Sequence, residues 1–189
     1  MKSIVIFASG SGTNAENIIR YFNATKSAKV VAVFCNNPKA AVIEKVESYS
    51  IPLILFSKSE FSTGLFADRI SSYAPDLIVL AGFLLMVPSV VITKFEGKII
   101  NIHPALLPKF GGAGMYGMNV HKAVVESGES QTGITIHYVD QHYDSGDIIA
   151  QFSTPLNGTE TCEEVAARIH VLEQTHFPKV IEQLLIEKI

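Results

Sequence analysis

The sequence is short of cysteine, short of charge and without a long apolar run, and each shortage removes a class of protein. Of 189 residues only 2 are cysteine, Cys35 and Cys162. They lie far apart and lack a C-x-x-C spacing, which excludes a disulfide framework and a thiolate metal site. Both are expected to be small buried hydrophobes. Charged residues make up 17% of the chain, with 15 Lys+Arg against 18 Asp+Glu and a net charge of −3. That balance offers no basic surface to a nucleic-acid backbone or an anionic membrane, while a small anion needs only a local site. The longest apolar run, Leu77 to Val87, contains Gly82 and stops at Pro88, short of the roughly 20 residues of a bilayer-spanning helix. The run Ile4–Ala8 is shorter than a secretory h-region and leads directly into a glycine loop, so it reads as the first strand of a cytoplasmic protein.

What is present is enough apolar material, 48% of the chain, for one domain with its own core. Short β-branched runs bounded by turn residues occur at 3–8, 30–35, 53–56, 77–81 and 98–102, with helix-like stretches between most of them. This alternation predicts an α/β fold on a parallel sheet. The unbroken apolarity of Ile4–Ala8 and Leu77–Ala81 is what strands covered on both faces require. From Gly133 the pattern alternates polar and apolar, a turn-rich stretch covers 140–146, and Ile148–Ser153 reads as another strand. The pair forms an antiparallel addition at one edge. Thr161 with Glu164 is a capping-box pattern that opens a long C-terminal helix, with a bend expected at Pro178. Four glycines in 109–117 mark an irregular loop after the fifth strand.

Four constellations could carry chemistry. Ser9-Gly10-Ser11-Gly12-Thr13-Asn14 follows the first strand and precedes a helix from about Ala15, which is either a phosphate loop or a tight strand–helix turn. Its spacing also fits a dinucleotide fingerprint, but Cys35-Asn36-Asn37 stands where the ribose-binding acid belongs, which weakens that reading. Asn101 and His103 close the fifth strand on one face, ahead of Pro104, where open α/β sheets bind ligands. A satisfied core histidine is the alternative. Asp140, Asp144 and Asp147 punctuate a stretch that is either a solvated turn or a partner for His103. An approach of Asp144 would favour the imidazolium and raise its pKa. A metal site on His137, His142 and these carboxylates lacks any standard ligand spacing. Ala81–Val87 prolongs the fourth strand, either as core or as the lining of a heteroaromatic pocket.

Together, Ile4–Asn14, Tyr73–Phe83, Ile100–Pro108 and Gly133–Val139 through Gly146 resemble the folate-dependent formyltransferases, in family order and over nearly the whole chain. The resemblance implies a Rossmann-like three-layer α/β domain over 1–189, with a mostly parallel central sheet, an antiparallel edge addition near 133–154 and a long C-terminal helix. The Ser-Gly-x-Gly-Thr-Asn loop is similar to that of the branch acting on a glycinamide ribonucleotide. The implied activity is formyl transfer from 10-formyltetrahydrofolate, the co-substrate, to the amine of 5-phosphoribosylglycinamide in purine biosynthesis. By that resemblance Asn101 binds the formyl oxygen, His103 donates a proton, and Asp144 keeps His103 protonated. Gly12, Thr13, Asn14 and Glu173 match ribonucleotide contacts, with His170 near the phosphate. Leu84, Leu85, Met86 and Val87, with Asn101 and Asp140, match the folate site.

Departures from the family accompany these matches. Leu85 stands where relatives often carry arginine, and Gly64 is near a position that is often basic, with Lys58 as a substitute for the folate-tail contact. His170 replaces Gln or Lys, Gln141 replaces an acidic residue, and the 111–117 stretch is longer than in many relatives. The expected partners are small molecules, with no metal, nucleic acid or membrane, and a weak homodimer. Relatives that formylate an initiator tRNA carry a further C-terminal domain, and hydrolases of the folate a further N-terminal one. A sensing module that binds without turnover is the reading from outside enzymology.

Overall fold

The computed structural model describes residues 1–187. In chain order the elements are β1 (Lys2–Ala8), α1 (Thr13–Thr25), β2 (Ala28–Cys35), α2 (Val42–Glu47), β3 (Leu53–Leu55), α3 (Lys58–Phe61), α4 (Gly64–Ser71), β4 (Leu77–Leu80), α5 (Ser89–Lys94), β5 (Ile99–His103), α6 (Met118–Glu126), β6 (Gln131–Tyr138), β7 (Ile148–Pro155) and α7 (Cys162–Glu187). The strands lie in the order β3-β2-β1-β4-β5-β6-β7. The chain divides into two compact units, one built from Met1–Ile100 with the chain from Pro178, the other from Asn101–Phe177. No helix among the described residues is long and apolar enough to cross a membrane.

In the first unit β1 pairs in parallel with β2 and β4, and β2 with β3. Ile4–Ala8 and all of β4 are buried without alternation, as strands covered on both faces must be. Phe7 centres an aromatic cluster, stacking on Phe34 at 5.0 Å and meeting Phe56, Phe61, Phe66 and Phe83 edge-on or tilted. Phe83 is thereby anchored at the head of the 84–87 segment. The chain runs outward from β1 through β2 to β3 and returns on the other side at β4. The strand order therefore reverses between β1 and β4, and a crevice beyond their carboxyl ends is where such sheets bind ligands.

The second unit contains the end of β5, α6, β6, β7 and most of α7. β6 is buried from Thr132 through His137, whereas β7 alternates between exposed and half-buried residues, the pattern of an edge strand. They pair antiparallel, Gln131 opposite Pro155 and Thr135 opposite Gln151, and the register slips between Ile136 and His137. β6 starts two residues earlier than the polar–apolar alternation suggested, because Gln131 and Thr132 find partners in Pro155 and Thr154. The capping box at α7 is present, with Glu164 N donating to Thr161 Oγ1 at 3.2 Å and Thr161 N to the Glu164 carboxylate at 2.8 Å. The helix continues through Pro178.

Two expectations are corrected. Ala81–Val87 does not prolong β4, which ends at Leu80. Its backbone turns away after Gly82, whose φ is +69°, leaving Leu84 and Met86 about half exposed. Cys162 is half-buried at the start of α7, whereas Cys35 is buried; burial raises the Cys35 thiol above its ordinary value, despite its bond to the Asn37 carbonyl.

Candidate active site

Alternation along β5 sends Asn101 and His103 to one face, and β6 delivers His137 where the register slips. A bulge at a strand end re-aims the side chains beside it. The turn that follows β6 carries Asp144, whose own φ is +51°. That turn closes tightly because Tyr138 N bonds Asp147 O at 2.9 Å. A Cβ on Gly146 would stand 1.9 Å from the Tyr138 carbonyl oxygen, so only glycine permits the closure.

Four side chains converge as a result. Asp144 Oδ2 lies 3.6 Å from His103 Nδ1 and its Oδ1 3.7 Å from His137 Nε2. The Gly112 amide donates to Oδ2 at 2.9 Å. Asn101 Nδ2 lies 3.1 Å from His137 Nε2. His103 Nε2 is 2.8 Å from the Phe110 carbonyl oxygen. A carbonyl only accepts, so Nε2 holds a hydrogen and Nδ1, facing Asp144, is the nitrogen that gains or loses a proton.

Burial sets the charges here. The His103 side chain is 3% exposed and that of Asp144 11%. Burial lowers the His103 pKa, Asp144 and the Phe110 carbonyl raise it and His137 lowers it, with a net shift downward. Asp144 does approach His103 and pulls its pKa upward, against the desolvation of the imidazolium. Burial also opposes ionisation of Asp144, yet the neighbouring His137 and His103 and the bond from the Gly112 amide hold its carboxyl below the usual range. The arrangement sets a carboxylate against Nδ1, where it favours positive charge on the ring.

Supporting groups surround it. Thr135 Oγ1, fully buried, accepts from the Leu107 amide and Gln151 Nε2 and donates to the Ala105 carbonyl, tying the segment after His103 to β6. His121 on α6 is buried with Nδ1 unpartnered, and burial followed by the charge of His103 lowers its pKa. Neither role was legible beforehand. The available signals were a threonine inside a buried strand and a histidine between Val120 and Val124 on an apolar helix face.

The remaining sequence-predicted residues lie as follows. In the first unit Gly12 is the N-cap of α1 with φ +72°, Thr13 is half-buried and Asn14 buried. Ser9 binds the segment after β4 to the end of β1. Its amide donates to Gly82 O, its hydroxyl donates to Asn36 Oδ1, and that hydroxyl accepts from the Leu84 amide. Leu85 is half-buried, Val87 buried and Lys58 exposed. In the second unit Asp140 accepts from the His142 amide and stands outside the Asn101–Asp144 cluster. His170 is exposed, with Nδ1 3.8 Å from the Glu173 carboxylate one turn on. Among the described residues no group of three or more His, Cys, Asp or Glu is placed to hold a metal ion.

Comparison with known proteins adds the relationship. A formyl transferase family model matches residues 2–181. The chain belongs to the formyl transferase family. This formyl transferase is 39% identical over its full length to the chloroplastic phosphoribosylglycinamide formyltransferase of Vigna unguiculata, and spans 62% of that protein. It is 36% identical to the phosphoribosylglycinamide formyltransferase of Bacillus subtilis, over 98% of this chain and 95% of that one. The crystal structure of phosphoribosylglycinamide formyltransferase from Bacillus halodurans matches with a TM-score of 0.88 at 33% identity, covering 97% of this formyl transferase and 95% of that chain.

Proposed function

We propose that the protein transfers the formyl group of 10-formyltetrahydrofolate to the amine of 5-phosphoribosylglycinamide, as one formyltransferase domain over 1–189. The observation that carries this reading is the cluster of Asn101, His103 and Asp144 in a chain that matches relatives of that name nearly end to end.

The amine nitrogen bonds to the formyl carbon and the carbonyl electron pair moves onto oxygen. Collapse then breaks the bond from that carbon to folate N10, and the proton given up by the amine ends on N10. Negative charge on the former carbonyl oxygen is the feature to be stabilised. Asn101 offers it an amide hydrogen, and one such preorganised donor is worth about 10²–10³ in rate. A nearby alkoxide adds to Asp144 in favouring the imidazolium, so His103 is more basic at the transition state than at rest and carries charge on Nδ1 when it is needed. We assign the phosphate to the 12–14 loop at the N-terminus of α1 and the flat folate ring system to the half-exposed apolar segment 84–87. The same reading includes a cytoplasmic location and a weak homodimer, which cell fractionation and sedimentation velocity would test.

The deciding experiment follows absorbance on deformylation of 10-formyldideazafolate with and without phosphoribosylglycinamide, for the wild type and Asp144→Asn. Turnover that requires the ribonucleotide and collapses in the variant is expected. Turnover without it would indicate a hydrolase, and none in either case would overturn the enzymatic reading.

A further inference from the structure

Within the second unit, His137 is flanked by two groups that specify its hydrogens. Its Nδ1 lies 2.8 Å from the carbonyl oxygen of Tyr138, which only accepts, so Nδ1 carries a hydrogen. Its Nε2 lies 3.1 Å from Asn101 Nδ2, which only donates, so Nε2 offers its lone pair. Both contacts are met together only by the neutral ring protonated on Nδ1. The His137 side chain is 3% exposed, and solvent does not substitute for either partner.

We propose that His137 is a positioning residue whose tautomer sets which end of the Asn101 amide faces the reacting centre. If the amide were turned over, its oxygen would meet the Nε2 lone pair. The NH2 end is therefore held on His137, whose Nε2 is 3.7 Å from Asp144 Oδ1. One amide hydrogen is committed to His137 and the second is left for the formyl oxygen. An unlatched Asn101 would present its carbonyl oxygen to the developing alkoxide for part of the time, and like partial charges there oppose the reaction. The Tyr138 carbonyl is in turn held by the close approach of Gly146, so the turn that supplies Asp144 also sets the His137 tautomer. This inference rests on the proposed formyl transfer for its kinetic consequence but not for its structural content.

The test has two parts. In protein labelled with ¹⁵N-histidine, the ring nitrogen shifts of His137, assigned by loss of its signals in His137→Leu, should show a protonated Nδ1 and a bare Nε2 at the assay pH. The opposite tautomer, or a doubly protonated ring, overturns the proposal whether or not the protein is an enzyme. In the kinetic arm, His137→Leu should lower kcat about tenfold, less than the roughly 10²–10³ of removing the donor itself. The KM for either substrate should change little. In an Asn101→Ala background the same substitution should have no further effect, since its partner is gone. A full tenfold loss repeated in that background would make His137 an independent contributor and overturn the positioning role. If the wild type shows no transfer at all, the proposed function fails, and the nitrogen shifts alone decide this inference.

Discussion

Gly12→Ala is a small substitution with a large structural cost. Gly12 is buried at φ +72°, and a Cβ added there would stand 2.6 Å from Val42 Cβ and Cγ2 and 2.7 Å from Val42 Cα. The left-handed backbone costs a non-glycine residue about 1–2 kcal/mol, and forcing extra volume into a packed site costs about 1–3 kcal/mol. Some of the clash is relieved if the start of α2 shifts, leaving a net loss of about 3 kcal/mol. For a chain of 189 residues each kcal/mol moves Tm by about 2–4 °C, so calorimetry should show a fall of about 6–12 °C. Val42→Ala should not rescue it, because Cα and Cβ remain. Gly10→Ala is the control in the same loop: nothing lies within 4 Å of its added Cβ and its φ is not left-handed, so Tm should stay within about 2 °C. Equal effects of the two substitutions, or a Gly12→Ala protein as stable as the wild type, would refute the reasoning.

Further predictions concern the cluster. Asn101→Ala and His103→Ala should each lower kcat by about 10²–10³ while ribonucleotide affinity measured by calorimetry is nearly unchanged; full activity in the double variant would sink the mechanism. Because Asp144 raises the His103 pKa against the stronger effect of burial, Asp144→Asn should move the His103 NMR titration to still lower pH, and an upward movement would contradict the geometry. His103 and His121 both have folded pKa values below those of the unfolded chain. Their contribution to stability is present above the unfolded histidine value of about 6.5 and is lost as pH falls below it. Tm should therefore drop between about pH 7 and 5, with a shallower drop in His121→Leu. Thr135→Val leaves the Leu107 amide and the Ala105 carbonyl without their buried partner and should cost roughly 2–4 kcal/mol in urea unfolding; a loss under 1 kcal/mol would mean both groups find substitutes.

Much of the fold was legible in the sequence because its signals are local. Ile4–Ala8 and Leu77–Leu80 are apolar at every position, which only a strand covered on both faces tolerates. Thr161 and Glu164 cap α7 through neighbouring backbone, and β7 alternates because one of its faces meets solvent. The errors came where a tertiary choice overrode a local one. Ala81–Val87 is apolar enough to continue β4, yet the chain turns at Gly82 and Ser9 fastens the segment to β1, a residue more than seventy positions away in sequence.

The sequence by itself determined which groups end on one face of β5: the two-residue spacing of Asn101 and His103 needs nothing beyond an extended backbone. The order of strands and helices follows from its periodicity in the same way. Only the tertiary structure decided the surroundings of His103 and the contacts of Asn101. Both depend on burial and on groups from β6 and its turn, His137, Tyr138 and Asp144, and the energy of an ion or an amide hydrogen is set by what surrounds it in space.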